Sequence, residues 1–270
     1  MTFTEKLIAA AEKNNSWLCV GLDLDPGKLP VPFNGGPDGL ADRGREIIDA
    51  TKHLVCAYKP NIAFFEALGI PGLQSLEKII KAIPSDIPVI LDAKRADIGN
   101  TSARYATAAF DRFGADAVTA NPYMGFDSLE PFFNYKGKHT FVLVLTSNPG
   151  SGDFELLKIS GKPLYMKVAE KVRAWNAAGN IGAVVGATKP EGIKKVRSVL
   201  KDEIFLIPGL GTQGGDVGKS VQFAFQGKGK AIFNVSRDII FATDQAAMAA
   251  KAEEYRDKIN SFKPGINDQR

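Results

Sequence analysis

The chain has 270 residues, 44% of them hydrophobic and 24% charged, which is ordinary for a folded protein and long enough for one large domain or two small ones. Its 34 basic residues exceed its 30 acidic ones by only four, spread along the chain, which argues against a nucleic-acid surface and permits a small anionic ligand. The two cysteines, Cys19 and Cys56, lack CxxC or metal spacing and read as buried thiols, and no apolar run approaches the ~20 residues of a membrane span, so a cytoplasmic protein with no membrane partner is expected.

Taken in order, the chain opens with a helix predicted over 3–13, whose charges stand where a signal peptide would be apolar. Strand-like runs then recur at 18–22, 54–58, 88–91, 115–119, 141–145, 181–185, 204–207 and 231–235. Between and after them lie helix-like stretches near 40–53, 72–82, 101–113, 127–135, 164–178, 190–200, 216–225 and 237–258. Strands alternating with crossover helices predict a parallel sheet, and eight such units in about 250 residues match a closed α/β (β/α)₈ TIM barrel occupying 1–270 as a single domain. A doubly wound open sheet is the alternative. Two connections are long: 25–39, rich in Pro and Gly, is expected to be an insertion, and 147–163, containing Asn-Pro-Gly-Ser-Gly, a mobile loop that closes over the site.

The stretch Ile90-Leu-Asp-Ala-Lys-Arg-Ala-Asp97 is the one around which the chain is organised, because it ends an apolar run with three ionisable groups in six residues. Side chains alternate along a strand, so Asp92 and Lys94 share a face and Asp97 lies beyond, in the turn before the next helix. Alone, such a cluster is more often a solvated strand end. In a barrel, however, all strands open onto one mouth at their C-terminal ends, and here those ends carry Asp23, Lys59, Asp92, Lys94, Asn121, Ser147, Gln213 and Arg237. Pro208-Gly-Leu-Gly-Thr-Gln-Gly-Gly215 is formally GxGxxG, but it falls after the seventh strand, where barrels grip phosphate through backbone N–H groups. Arg237 supplies a guanidinium to the same anion. Walker, HExxH and GxSxG motifs are absent, and the two histidines, His53 in a helix and His139 just before a strand, do not look catalytic. Lysines and carboxylates beside a phosphate site suit proton transfer to carbon, decarboxylation or Schiff-base chemistry, none of which needs a redox cofactor.

The Asp92-x-Lys94-x-x-Asp97 motif, with Thr101 four residues later, Lys59 on the preceding strand and the 208–215 segment with Arg237, resembles the orotidine 5'-phosphate decarboxylase family, in its subgroup of about 270 residues. The resemblance implies cofactor-free decarboxylation of orotidine 5'-phosphate to uridine 5'-phosphate in pyrimidine biosynthesis, with no metal. It implies a catalytic array of Lys59, Asp92, Lys94 and Asp97, with Lys94 giving a proton to C6. It assigns Asp23 and Thr101 to the ribose, Ser147 to the pyrimidine, and Gln213, Gly214, Gly215 and Arg237 to the phosphate. It further implies a homodimer in which Asp97 and Thr101 enter the partner's site. A sister group of magnesium-dependent sugar-phosphate decarboxylases and lyases shares the short motif but carries an acid in place of Lys59. A noncatalytic phosphate-ligand binding protein is the third reading.

Overall fold

A computed structural model describes residues 1–30, 35–210 and 216–264. Eight parallel strands form its centre: β1 (Leu18–Leu22), β2 (Ala57–Pro60), β3 (Ile90–Arg95), β4 (Ala117–Ala120), β5 (His139–Leu145), β6 (Ile181–Val185), β7 (Ile204–Pro208) and β8 (Lys230–Val235). Hydrogen-bonded neighbours run β2-β1-β8-β7-β6-β5-β4-β3. The last gap, between β2 and β3, is closed by isolated bridges Tyr58–Val89 and Asn61–Asp92. The expected TIM barrel is therefore formed, and its closing seam runs past Lys59 and Asp92.

Alternation along the strands sorts side chains into two cores. Cys19, Ala57, Ile90, Ala117, Phe141, Val184, Ile204, Leu206 and Ile232 fill the barrel. Val20, Leu22, Tyr58, Leu91, Val118, Val142, Phe205, Ile207 and Phe233 face the surrounding helices. Fully burying one such aliphatic side chain contributes ~1.5–3 kcal/mol, so the cores amply support a rigid frame. The helix Phe3–Lys13 plugs the end opposite the strand C-termini. Thr2 and Glu5 make a capping box at its start, Phe3 stacks on His139, and Lys6 pairs with Asp116 at 2.7 Å.

Several boundaries differ from the sequence expectation. Strand β2 runs later than 54–58, because pairing with β1 joins Cys19 to Ala57 and Gly21 to Lys59, while Leu54 and Val55 pack outward against helices. This places Lys59 inside the strand. The helix Gly36–Thr51 begins within the expected 25–39 insertion, and His53 sits in the turn after it. His139 belongs to β5 and is fully buried, not just before the strand. The final helix is split into Arg237–Ile240 and Gln245–Phe262, because the Asp244 carboxylate accepts the Ala247 N–H at 2.8 Å and starts a new helix. Among the described residues, no helix is long and apolar enough to cross a membrane.

Candidate active site

A cavity of about 520 Å³ opens at the C-terminal ends of the strands, within the range of small-molecule sites. Leu143, Val184 and Leu206 form its apolar floor, and Asp23, Lys59, Asp92, Lys94, Ser147, Asn234 and Arg237 supply polar groups around it. They come from the C-terminal ends of five strands, β1, β2, β3, β5 and β8, and alternation aims them inward: Lys59 lies two residues beyond Ala57, Asp92 two beyond Ile90, and Asn234 two beyond Ile232.

Asp92 is the hub. Its Oδ2 accepts from Lys59 Nζ at 2.9 Å, and its Oδ1 accepts from Lys94 Nζ at 2.7 Å and from Thr119 Oγ1 at 2.8 Å. Lys59 and Asp92 expose only 5% and 10% of their side chains, whereas half of Lys94 is exposed toward the mouth. Burial alone would raise the Asp92 carboxyl, but the Lys59 and Lys94 ammonium groups hold it well below the usual carboxylate range. Burial alone would likewise lower Lys59, and Asp92 with Asp23 more than reverse this, keeping the buried ammonium charged. Strand β3 reaches Lys94 through an irregularity: the pairing register with β4 shifts between Leu91 and Arg95, and Lys94 takes φ +48°.

The remaining predicted residues divide. Asp23 and Asn234 each present a buried Oδ1 with no hydrogen-bond partner among the described residues, as expected of groups poised for a ligand. Gly21 makes room for Asn234, since a Cβ there would lie 2.9 Å from Ser236 Cβ and 3.2 Å from the Asn234 amide. Ser147 reaches the cavity from the end of β5, and Gly186 packs so closely against it that a Cβ would meet Ser147 N at 2.8 Å. Arg237 lines the mouth beside Gly209, whose φ is +96°. Gln213, Gly214 and Gly215 lie outside the described residues.

Asp97 and Thr101 do not line this cavity. Asp97 is half-buried and accepts the Ile98 N–H at 2.8 Å, and Thr101 is exposed. Asn121 caps the turn after β4 by accepting the Tyr123 N–H at 3.0 Å. Among the described residues no cluster of three His, Cys, Asp or Glu side chains has a metal-binding arrangement.

Sequence reasoning missed Asn234 and Thr119, which lie in apolar strands without a motif, and Glu155. Glu155 belongs to the 147–163 connection, which contains a helical turn at Ser151–Phe154 and a small hairpin pairing Lys158–Ile159 with Lys162–Pro163. Its carboxylate accepts from Thr146 N at 2.8 Å and Thr146 Oγ1 at 2.7 Å, which ties the loop to the end of β5. Phe154, Leu156, Leu157 and Ile159 face solvent on this loop.

Comparison with known proteins agrees with this geometry. A family profile described as Orotidine 5'-phosphate decarboxylase / HUMPS family matches residues 16–252. The curated orotidine 5'-phosphate decarboxylase of Cupriavidus metallidurans is 48% identical over 98% of this chain and 100% of its own length. Among solved structures, Leishmania donovani OMP decarboxylase superposes with TM-score 0.87 at 39% identity, covering 97% of this chain and 98% of that one. The chain spans 56% of Leishmania donovani UMP synthase, with TM-score 0.87 and 40% identity. With the barrel, the charged hub at its mouth and full-length relatives in agreement, the chain belongs to the orotidine 5'-phosphate decarboxylase / HUMPS family.

Proposed function

We propose that this chain removes CO₂ from C6 of orotidine 5'-phosphate, without a cofactor, to give uridine 5'-phosphate in cytoplasmic pyrimidine biosynthesis. The observation that carries the reading is the Lys59–Asp92–Lys94 array at the mouth of the barrel, with unpartnered Asp23 and Asn234 oxygens on one side and Arg237 on the rim. Loss of CO₂ leaves a poorly delocalised carbanion at C6. Lys94, half exposed to the cavity, stabilises that charge and then donates a proton to it.

Magnitudes decide what Asp92 does. A bare carboxylate ~4 Å from the substrate carboxylate, at an effective dielectric of ~20, would repel it by ~4 kcal/mol, worth roughly a thousandfold in rate. Asp92 is not bare, because two ammonium groups contact it at 2.9 and 2.7 Å, so its net repulsion is smaller still. Ground-state repulsion therefore cannot be the main source of a rate enhancement on the order of 20 kcal/mol, and transition-state stabilisation by Lys94 must exceed it. The role of Asp92 is to keep the buried Lys59 charged and to aim both lysines. Gln213, Gly214, Gly215 and Arg237 bind the phosphate in this reading, Ser147 the pyrimidine, and Asp23 the ribose. Closure of the 147–163 loop excludes water.

A homodimer supplies Asp97 and Thr101 to the partner's site and to its ribose. Two facts support this: neither residue lines its own cavity, and Ile98, Tyr123, Met124 and Phe126 are exposed on the loops after the neighbouring strands β3 and β4. A mixture of inactive Lys94→Ala and Asp97→Ala proteins should then recover about a quarter of wild-type activity through hybrid dimers with one intact site. No recovery after verified subunit exchange would refute the sharing.

The magnesium-dependent alternative is disfavoured by Lys59, whose ammonium occupies the space beside Asp92 that a divalent cation would need. The deciding experiment follows the ultraviolet absorbance of orotidine 5'-phosphate with purified protein in excess chelator. Conversion to uridine 5'-phosphate is the expected result. No conversion by folded protein, with turnover of a sugar phosphate once Mg²⁺ is added, would overturn the proposal.

A further inference from the structure

We infer that Thr119, on β4, is a positioning residue that sets Lys94 and Asp92 for proton delivery, although it need not touch the substrate itself. This rests on the decarboxylase reading above. Lys94 adopts φ +48°, a left-handed conformation that an L side chain with a Cβ rarely holds without support. Of the described residues, only Asn15 and Ser160 are other non-glycines with such a φ. The support is one hydroxyl. The backbone N–H groups of Ala93 and Lys94 both donate to Thr119 Oγ1, each at 3.0 Å, and the hydroxyl donates onward to Asp92 Oδ1 at 2.8 Å.

A hydroxyl has two acceptor lone pairs and one proton, so these three contacts use its whole capacity. Two consecutive amides converging on one oxygen require the backbone at Lys94 to turn, and that turn accompanies the register shift between β3 and β4. The same oxygen fixes the carboxylate oxygen that receives Lys94 Nζ at 2.7 Å. One buried atom thus determines both where the lysine leaves the backbone and where its ammonium is anchored. Neither valine nor alanine can do this, whereas serine keeps every contact.

The test compares wild type, Thr119→Ser, Thr119→Val and Thr119→Ala by kcat and KM for orotidine 5'-phosphate across pH, by thermal melting, and by crystal structure. Thr119→Ser should retain kcat within a few-fold. Thr119→Val and Thr119→Ala should lose about 100-fold in kcat with KM little changed, the loss expected when a reacting group is displaced by about 1 Å. The acid limb of their pH profiles should move to higher pH, because Asp92 has lost a donor that favours its charged form, and Thr119→Ser should restore it. Wild-type kcat in Thr119→Val, or losses no larger than the unfolded fraction in the melt, would overturn the inference while leaving the decarboxylase reading intact. If wild type proves inactive toward orotidine 5'-phosphate, that reading fails and the crystal structures decide the positioning role alone. A Lys94 that leaves the left-handed conformation in Thr119→Val supports it, and an unchanged Lys94 refutes it.

Discussion

Asp92→Asn replaces the hub of the site by a neutral isostere, and the structure predicts its effect on stability as well as on turnover. The Lys59 side chain is 5% exposed and its ammonium is partnered by Asp92 Oδ2. Removing the carboxylate charge leaves that cation buried, with Asp23 as the remaining acid that acts on it. Breaking a buried pair from one side costs about 3–5 kcal/mol. At roughly 2–4 °C per kcal/mol for a domain of this size, the melting temperature should fall by roughly 6–20 °C. Lys94 adds little, since half its side chain is in water. The double variant Lys59→Met with Asp92→Asn removes both charges, and replacing a whole buried pair is often neutral or stabilising. It should therefore melt above the single variant while remaining inactive. Urea unfolding with linear extrapolation measures the cycle, and the absorbance assay measures turnover. A double variant less stable than Asp92→Asn, or an Asp92→Asn protein as stable as wild type, would refute the claim that Asp92 chiefly compensates a buried lysine.

Three other outcomes are expected. Lys94→Gly and Lys94→Ala should both lose turnover, and the glycine variant should be more stable than the alanine variant by about 1 kcal/mol, because only glycine accepts φ +48° without strain; equal stabilities in urea would contradict the strain. His139 is fully buried, its Nε2 has no hydrogen-bond partner among the described residues, and burial pushes its imidazole down to about 3. Its contribution is complete above the unfolded value near 6.5 and is lost as pH falls toward 3, with a limiting slope of ~1.4 kcal/mol per pH unit. Stability curves of wild type and His139→Gln should therefore converge on acidification, and parallel curves would refute this. Gly186→Ala places a Cβ 2.8 Å from Ser147 N and 2.9 Å from its Cα, so it should displace Ser147, raise KM and cost ~1–3 kcal/mol of stability by overpacking. Wild-type KM would show that Ser147 makes no useful contact.

Much of the architecture was legible in local pattern. Eight apolar runs alternating with amphipathic stretches determined a parallel sheet covered by helices and matched the size of a barrel, because a strand buried on both faces and a helix covering it each leave a signature within a dozen residues. Asp92, Lys94 and Lys59 were legible for a related reason: charged side chains at the ends of apolar strands stand out against their neighbours. What the tertiary structure decided depends on residues far apart in sequence. The barrel closes through two bridges between β2 and β3, not through a continuous ladder, and this seam is where Lys59 meets Asp92. Thr119 looked like one more β-branched residue in a strand, and only packing β4 beside β3 brings its hydroxyl under two β3 amides. Asn234 was hidden in the same way within β8. Asp97 and Thr101 were singled out as residues for a partner's site, and the turn after β3 carries them away from the chain's own cavity. The reason is general to such sites. Backbone hydrogen bonding and hydrophobic period repeat along the chain and can be read from it, whereas a hydroxyl, an amide or a carboxylate acquires its role from the strand that folding places beside it.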